Sequence, residues 1–273
     1  MTLTSPSGDP QRVALVVGAS RGIGAVTARA FARAGAAVVL AARDEQALAA
    51  VAAGIEAEGG RALALPTDVT DAAAAATLVE RAVAAFGRLD HAFNNATDGT
   101  MPAPLADVPV DGFDRAIAAN VRGTFLGMRA QIPAMLETTG GGAIVNMASV
   151  AGVQAIAGLG PYATGKAGII MVSQVAALDY ADQGVRVNVV APGPILTHHL
   201  ERAGAEAQRQ AAASIPMGRI GSPQEVADAV LFLCSGRAAF ITGAVLPIDG
   251  GQTAGVKPAR MYRQGEPMPR ASA

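Results

Sequence analysis

Tyr162 and Lys166 stand four residues apart as Tyr-x-x-x-Lys, with Ser149 thirteen residues upstream. On a helix, residues at that spacing share a face. An ammonium therefore lies beside a phenol, and a preceding strand end can bring the phenol a hydroxyl neighbour. A phenol titrates near 10 in water and is a poor proton donor or acceptor at neutral pH, whereas a fixed cation beside it favours the phenolate. Bringing the phenol close to neutrality asks for roughly 3–4 kcal/mol, at ~1.36 kcal/mol per pH unit. A desolvated lysine together with one further positive charge could supply that. The implied chemistry is proton transfer at a carbonyl or alcohol oxygen. Alone, the pair is a common surface pattern, so the weight falls on what accompanies it.

The second chemical feature is Gly18-Ala19-Ser20-Arg21-Gly22-Ile23-Gly24, which follows an apolar run and opens a helical pattern. In that context the first glycine makes a tight turn and the later ones let backbone and helix approach a diphosphate. The helix N-terminus then offers free N–H groups and a positive dipole end. Arg21 lies in the loop and Arg43 directly follows the second strand, where a neutral Ala42 stands in place of the acid that would accept from a ribose 2′-hydroxyl. Two guanidiniums suit a 2′-phosphate, so NADP(H) is favoured and NAD(H) remains possible. The alternative makes Arg43 a solvated helix-start residue and Asp44 an N-cap.

These groups need elements to hold them. The pattern predicts strands over Val13–Val17, Ala37–Ala41, Ala62–Leu65, Leu89–Asn94, Ala143–Met147, Val185–Ala191 and Ala244–Ile248. Between them fall helices over Gly22–Ala34, Asp44–Glu58, Asp71–Phe86, Val110–Glu137, Tyr162–Tyr180 and Pro223–Leu233. Short continuous apolar strands between amphipathic helices belong to a parallel sheet covered on both faces. With right-handed crossovers the fold class is α/β: one Rossmann-type, doubly wound domain of about seven strands. The 273 residues, 51% of them hydrophobic and 16% charged, suffice for one large core. The expected organisation is a flexible N-terminus (1–11), the folded domain (12–254) with a substrate loop at about 196–217, and a C-terminal tail (255–273). The tail reads as a mobile segment or as an arm that docks on a neighbouring subunit.

The ordered set Gly18/Gly22/Gly24, Asp68-Val69, Asn94-Asn95-Ala96, Asn120, Ser149, Tyr162, Lys166 and Pro192-Gly193 resembles the short-chain dehydrogenase/reductase family over residues 12 to 252. The resemblance implies that Tyr162 is the general acid/base and that Ser149 holds the substrate oxygen. It implies that Lys166 binds the nicotinamide ribose and lowers the tyrosine pKa, while Asn120 anchors a water in a proton relay. It counts Ser20, Arg21 and Ile23 with the glycines among the cofactor-binding residues and places Asp68 and Val69 at the adenine. Asn95 and Ala96 would line the ribose, while the segment from Pro192 and Gly193 would cross the nicotinamide, with the Ile195 backbone at its carboxamide and Thr197 near the diphosphate. Two positions depart from the pattern: Thr97 stands where the family has glycine, and Val17 where it has threonine. Thr97 puts the binding geometry beside it in doubt, since a β-branched residue is stiffer and bulkier there. The family also implies dimers or tetramers through its fourth and fifth helices. A stripe of Ala118, Val121, Phe125 and Met128 is consistent with that.

The substrate pocket is expected from Thr97–Met101, Val150–Ala157 and Leu196–Met217, small and apolar, with Asp98, Gln154 and His198 as polar contacts. A ketone or secondary alcohol of modest polarity fits such a lining. A dinucleotide-binding regulator without turnover is the alternative from another class, and the phenol–lysine pair speaks against it. A net charge of −1 gives no reason to expect nucleic acid or a membrane surface as partner. No secretory signal or membrane-length apolar segment is read, so a soluble cytoplasmic protein is expected. No metal is expected, because His198 and His199 point different ways on a helix and lack a third ligand. The single Cys234 lies in an apolar run and reads as a core residue, and His91 reads as structural.

Overall fold

The computed structural model describes residues 11–99 and 101–255. Apolar runs rich in Val, Ile, Leu and Ala form most of its strands, because such side chains suit a pleated surface buried on both sides. The strands are β1 (Val13–Val17), β2 (Ala37–Ala42), β3 (Arg61–Pro66), β4 (His91–Asn94), β5 (Gly142–Met147), β6 (Val185–Pro192) and β7 (Val245–Ile248). All pair in parallel in the order β3-β2-β1-β4-β5-β6-β7. This is the Rossmann-type sheet that the alternation predicts. After β3 the chain crosses back to lay β4 beside β1, which makes the C-terminal ends of those two strands the point where sheets of this order bind their ligands.

The helices are α1 (Gly22–Arg33), α2 (Glu45–Ala57), α3 (Ala72–Phe86), α4 (Val110–Ile117), α5 (Gly123–Thr139), α6 (Val150–Val153), α7 (Gly160–Tyr180), α8 (His198–Arg202), α9 (Gly204–Ala213) and α10 (Pro223–Cys234). Successive strand residues face opposite sides, which gives two cores. Val16, Leu40, Phe93 and Val145 meet Phe31 of α1, Leu48 of α2 and Val230 of α10. Leu15, Val39, Ile144 and Val187 meet Leu78 of α3, Ile132 and Met135 of α5 and Ala177 of α7. Each such aliphatic side chain contributes about 1.5–3 kcal/mol through burial. Cys234 belongs to the first core, and burial pushes its thiol up to about 12, so it is inert.

Three expectations need correction. The helix predicted over Val110–Glu137 is interrupted by a π turn at Ala118–Arg122, with α4 before it and α5 after it. The close approach of α7 goes with this wider turn: a Cβ on Gly165 would lie 3.0 Å from the Asn120 Cβ, and one on Gly168 would lie 2.6 Å from Val121 Cγ2. The apolar stripe is consequently split, with Met128 buried in the second core and Phe125 still exposed. Residues 196–217 are not a plain loop but hold α8 and α9, favoured by good helix formers such as Ala, Glu, Gln and Arg. Strand β4 starts at His91 rather than Leu89, and the Asp90 carboxylate just before it accepts from the Val13 N–H at 2.8 Å. The expected N-terminal segment (apart from Gln11) and C-terminal tail (apart from Gly255) lie outside the described residues.

Candidate active site

All the predicted site residues lie at or beyond the C-terminal ends of the strands. After β1 the chain turns at Gly18, whose φ of +80° suits glycine. A Cβ on Gly24 would lie 2.1 Å from the Gly18 carbonyl oxygen, so the turn closes only because that side chain is missing. Asn95, after β4, clasps the loop: its side-chain amide donates to the Gly18 carbonyl at 3.0 Å and its backbone N–H to the Val17 carbonyl at 2.9 Å. Ala96 follows against Gly18, with no room for a side chain between them. Ser20 and Ile23 are half-buried in the same loop.

Helix α1 opens at Gly22 with no side-chain cap, whereas Asp44, Asp71 and Ser222 cap α2, α3 and α10. Its first-turn N–H groups therefore want an acceptor from outside, and the positive end of the helix dipole favours an anionic one. Thr197, just before α8, brings its methyl within 3.7 Å of where a Gly22 Cβ would stand. The segment after β6, with Gly193 and buried Ile195, thus reaches from Pro192 back over the glycine loop. An uncapped helix end, a glycine turn and a covering strand-end segment fit a dinucleotide diphosphate.

Just after β3, the Asp68 carboxylate accepts from the Thr70 N–H and hydroxyl at 2.9 and 2.8 Å. These bonds hold it below its ordinary value, and the charge of Arg43 adds to the effect. Val69 is half-buried beside it. Arg21 is not the free guanidinium expected: it pairs with Asp44 at 2.9 Å, while Asp44 also caps α2 through the Ala47 N–H. Asp44 is thus the N-cap of the alternative reading, and it competes for the arginine that a 2′-phosphate would need. Arg43 is exposed, near enough to Asp68 to act on its charge.

Ser149 caps the short α6, accepting from the Ala151 N–H at 3.2 Å, and its hydroxyl also meets the Tyr162 phenol. Tyr162 and Lys166 occupy one face of α7. The Lys166 ammonium is buried, donates to the Met147 carbonyl at 2.9 Å and lies 5.5 Å from the centre of the tyrosine ring. Burial raises the phenol above its ordinary value of 10, with only the Ser149 hydrogen bond opposing. Burial also lowers Lys166 to about 7. The expected lowering of the phenol by lysine is therefore not present in the protein alone. A lysine so far desolvated is itself close to losing its charge, and one of its three N–H donors is taken by a carbonyl.

Asn120 sits fully buried in the π turn, a local distortion often found at functional sites. Its side-chain nitrogen donates to the Ala116 and Asp98 carbonyls at 2.8 and 2.7 Å, and its oxygen accepts from the Thr97 hydroxyl at 2.8 Å. Below the site lies a network that sequence reasoning missed. Asn94 donates to Gln131 and Asn146 at 3.0 and 2.8 Å, Gln131 donates back at 2.8 Å, and Asn146 donates to Ser173 at 2.8 Å. These bonds tie the ends of β4 and β5 to α5 and α7. The available signal was asparagine inside two apolar strand runs, since a buried amide requires partners.

Residues 18–253 match the family model described as enoyl-(acyl carrier protein) reductase, within the short-chain dehydrogenases/reductases. The chain belongs to the short-chain dehydrogenase/reductase family. It is 38% identical over 245 residues to the 2,5-dichloro-2,5-cyclohexadiene-1,4-diol dehydrogenase of Sphingobium indicum, covering 90% of this chain and 97% of that protein. It is 42% identical over 244 residues to the cis-4-hydroxycyclohexanecarboxylate dehydrogenase of Sinomonas cyclohexanicum, covering 89% and 97%. Its structure superposes on a short-chain type dehydrogenase/reductase from Mycobacterium marinum with a TM-score of 0.85 at 35% identity, over 90% of this chain and 97% of the other. This short-chain dehydrogenase/reductase is an oxidoreductase, and the family works with nicotinamide cofactors. Among the described residues, no helix is long and apolar enough to cross a membrane.

Proposed function

We propose that this enzyme interconverts a secondary alcohol on a six-membered ring and the corresponding ketone, with NADP(H) as the preferred cofactor and Tyr162 as general acid/base. The observation that carries the reading is the meeting of Ser149, Tyr162 and Lys166, in a chain whose α1 opens without a side-chain cap after the glycine loop. A bound nicotinamide dinucleotide would supply or accept the hydride. The glycine loop and the α1 N-terminus would hold its diphosphate, Asp68 and Val69 its adenine, and Asn95, Ala96 and Lys166 its ribose. Ile195 would meet the nicotinamide, and Thr197 would lie near the diphosphate.

The residues of the chain handle the proton. A phenol raised by burial is protonated at neutral pH, the form that donates to a ketone oxygen in the direction of reduction. The Ser149 hydroxyl beside it gives that oxygen a second partner. Six-membered rings enter through the relatives, two of which are named for substrates of that kind. The mostly small residues of 150–157 suit such an apolar ring.

The cofactor reading rests on Arg43, with Arg21 available when it leaves Asp44. Purified enzyme assayed on a panel of ring ketones and alcohols should turn over faster with the phosphorylated cofactor. Arg43→Ala should weaken NADPH binding by roughly 10- to 100-fold, the worth of one charge-assisted hydrogen bond at ~1.5–3 kcal/mol. Asp44→Ala should strengthen it by freeing Arg21. Equal affinity for NADH and NADPH in the wild type would refute the cofactor assignment, and no turnover across the panel would refute the substrate class.

A further inference from the structure

Thr97 departs from the family's glycine, and the structure gives that departure a partner. Its hydroxyl donates to the Asn120 side-chain oxygen at 2.8 Å. The amide cannot be turned the other way, because its nitrogen already faces two carbonyls, those of Ala116 and Asp98. Asn120 is fully buried, whereas Thr97 is exposed. One buried amide thus grips the segment after β4 at two consecutive residues, by the Thr97 side chain and the Asp98 carbonyl. The next residue, Gly99, lies against the tyrosine: a Cβ built on it would stand 3.6 Å from Tyr162 Cδ2. Behind the grip, the Asn120 Cβ packs against α7 at Gly165, between Tyr162 and Lys166.

We propose that Thr97 is a positioning residue, whose hydroxyl completes a clasp with Asn120 that holds residues 97–99 against the Tyr162 ring and fixes the phenol for proton transfer. Glycine at this place has no side chain to make that bond, so the segment would be held by the Asp98 carbonyl alone. The inference rests on the proposed role of Tyr162.

Thr97→Val tests it, because valine keeps the β-branch and the bulk and removes only the hydroxyl. The expected result is a fall in kcat of about 10- to 100-fold, the scale of a misplaced catalytic group. The loss should fall mainly on kcat, with any change in KM or in the affinity for NADPH smaller than the fall in kcat, because the clasp acts on the reacting phenol more than on binding. Thr97→Ser should restore kcat to within about threefold of wild type, since the bond is kept. Thr97→Gly, at an exposed position, provides a second loss of the hydroxyl should valine disturb folding, and should lower kcat likewise. Unchanged kcat in both Thr97→Val and Thr97→Gly overturns the clasp, as does a serine variant that falls as far as valine. Tyr162→Phe run alongside separates the two claims. A fully active Tyr162→Phe removes the acid/base reading itself, whereas an inactive one beside a wild-type-like Thr97→Val removes only the clasp.

Discussion

Lys166 is a buried cation whose ammonium donates to the Met147 carbonyl, and burial brings it from 10.5 down to about 7. Above that value the folded protein has released a proton that the unfolded chain still holds. From pH 7 to about 10 the unfolded state therefore binds more protons, and the contribution of this lysine to stability rises with pH. Below pH 7 the full penalty of burying the charge is present. Tyr162, raised above 10, opposes this only at the alkaline end of the window. Urea midpoints of the ligand-free enzyme at pH 7, 8 and 9 should rise relative to Lys166→Met, and parallel midpoints for the two proteins would contradict the burial. At this scale the residue types were legible from spacing, because Tyr-x-x-x-Lys and the glycine loop are local patterns. The contacts between distant residues were not. Thr97 stood out as a departure, yet nothing in the sequence says that its hydroxyl reaches a residue 23 positions on.

Helix α7 shows how one element serves two surfaces. Its inner face buries Lys166, Ile169, Ser173 and Ala177, and its outer face leaves Met171, Val175 and Leu178 exposed at 62, 49 and 83%. Those three follow helical spacing, and on α5 Phe125 is 47% exposed. We expect these apolar faces to pair copies of the enzyme into a dimer or tetramer. Light scattering should give a multiple of the chain mass, and Leu178→Asp should lower it; a wild-type monomer would contradict the pairing. The seven strands were legible because most are short apolar runs between helical patterns. The π turn was not, since Ala118-Ala-Asn-Val-Arg122 continues a helical pattern and has no breaker. Whether such a segment winds as α or π depends on what packs against it, here an α7 backbone brought close by Gly165 and Gly168. Helices α8 and α9 were missed for a related reason, as only a few of their residues are apolar enough to show a buried face.

For the whole molecule, the parallel sheet gathers the C-terminal ends of β1, β4, β5 and β6 along one edge. Residues as far apart in sequence as Gly22 and Thr197 become neighbours there, and Gly99, Ser149 at the start of α6 and Lys166 of α7 come together around one phenol. The opposite edge holds His91, which burial lowers to about 4 and keeps neutral. The central claim is that this convergence makes Tyr162 the group that exchanges a proton with the substrate oxygen. A rapid-mixing experiment with NADPH-loaded enzyme and a ring ketone, following nicotinamide absorbance through one turnover, tests it most directly. The prediction is that Tyr162→Phe binds NADPH as wild type does and transfers hydride at least ~100-fold more slowly, the lower bound for loss of a positioned acid. Equal single-turnover rates in the two proteins would contradict it.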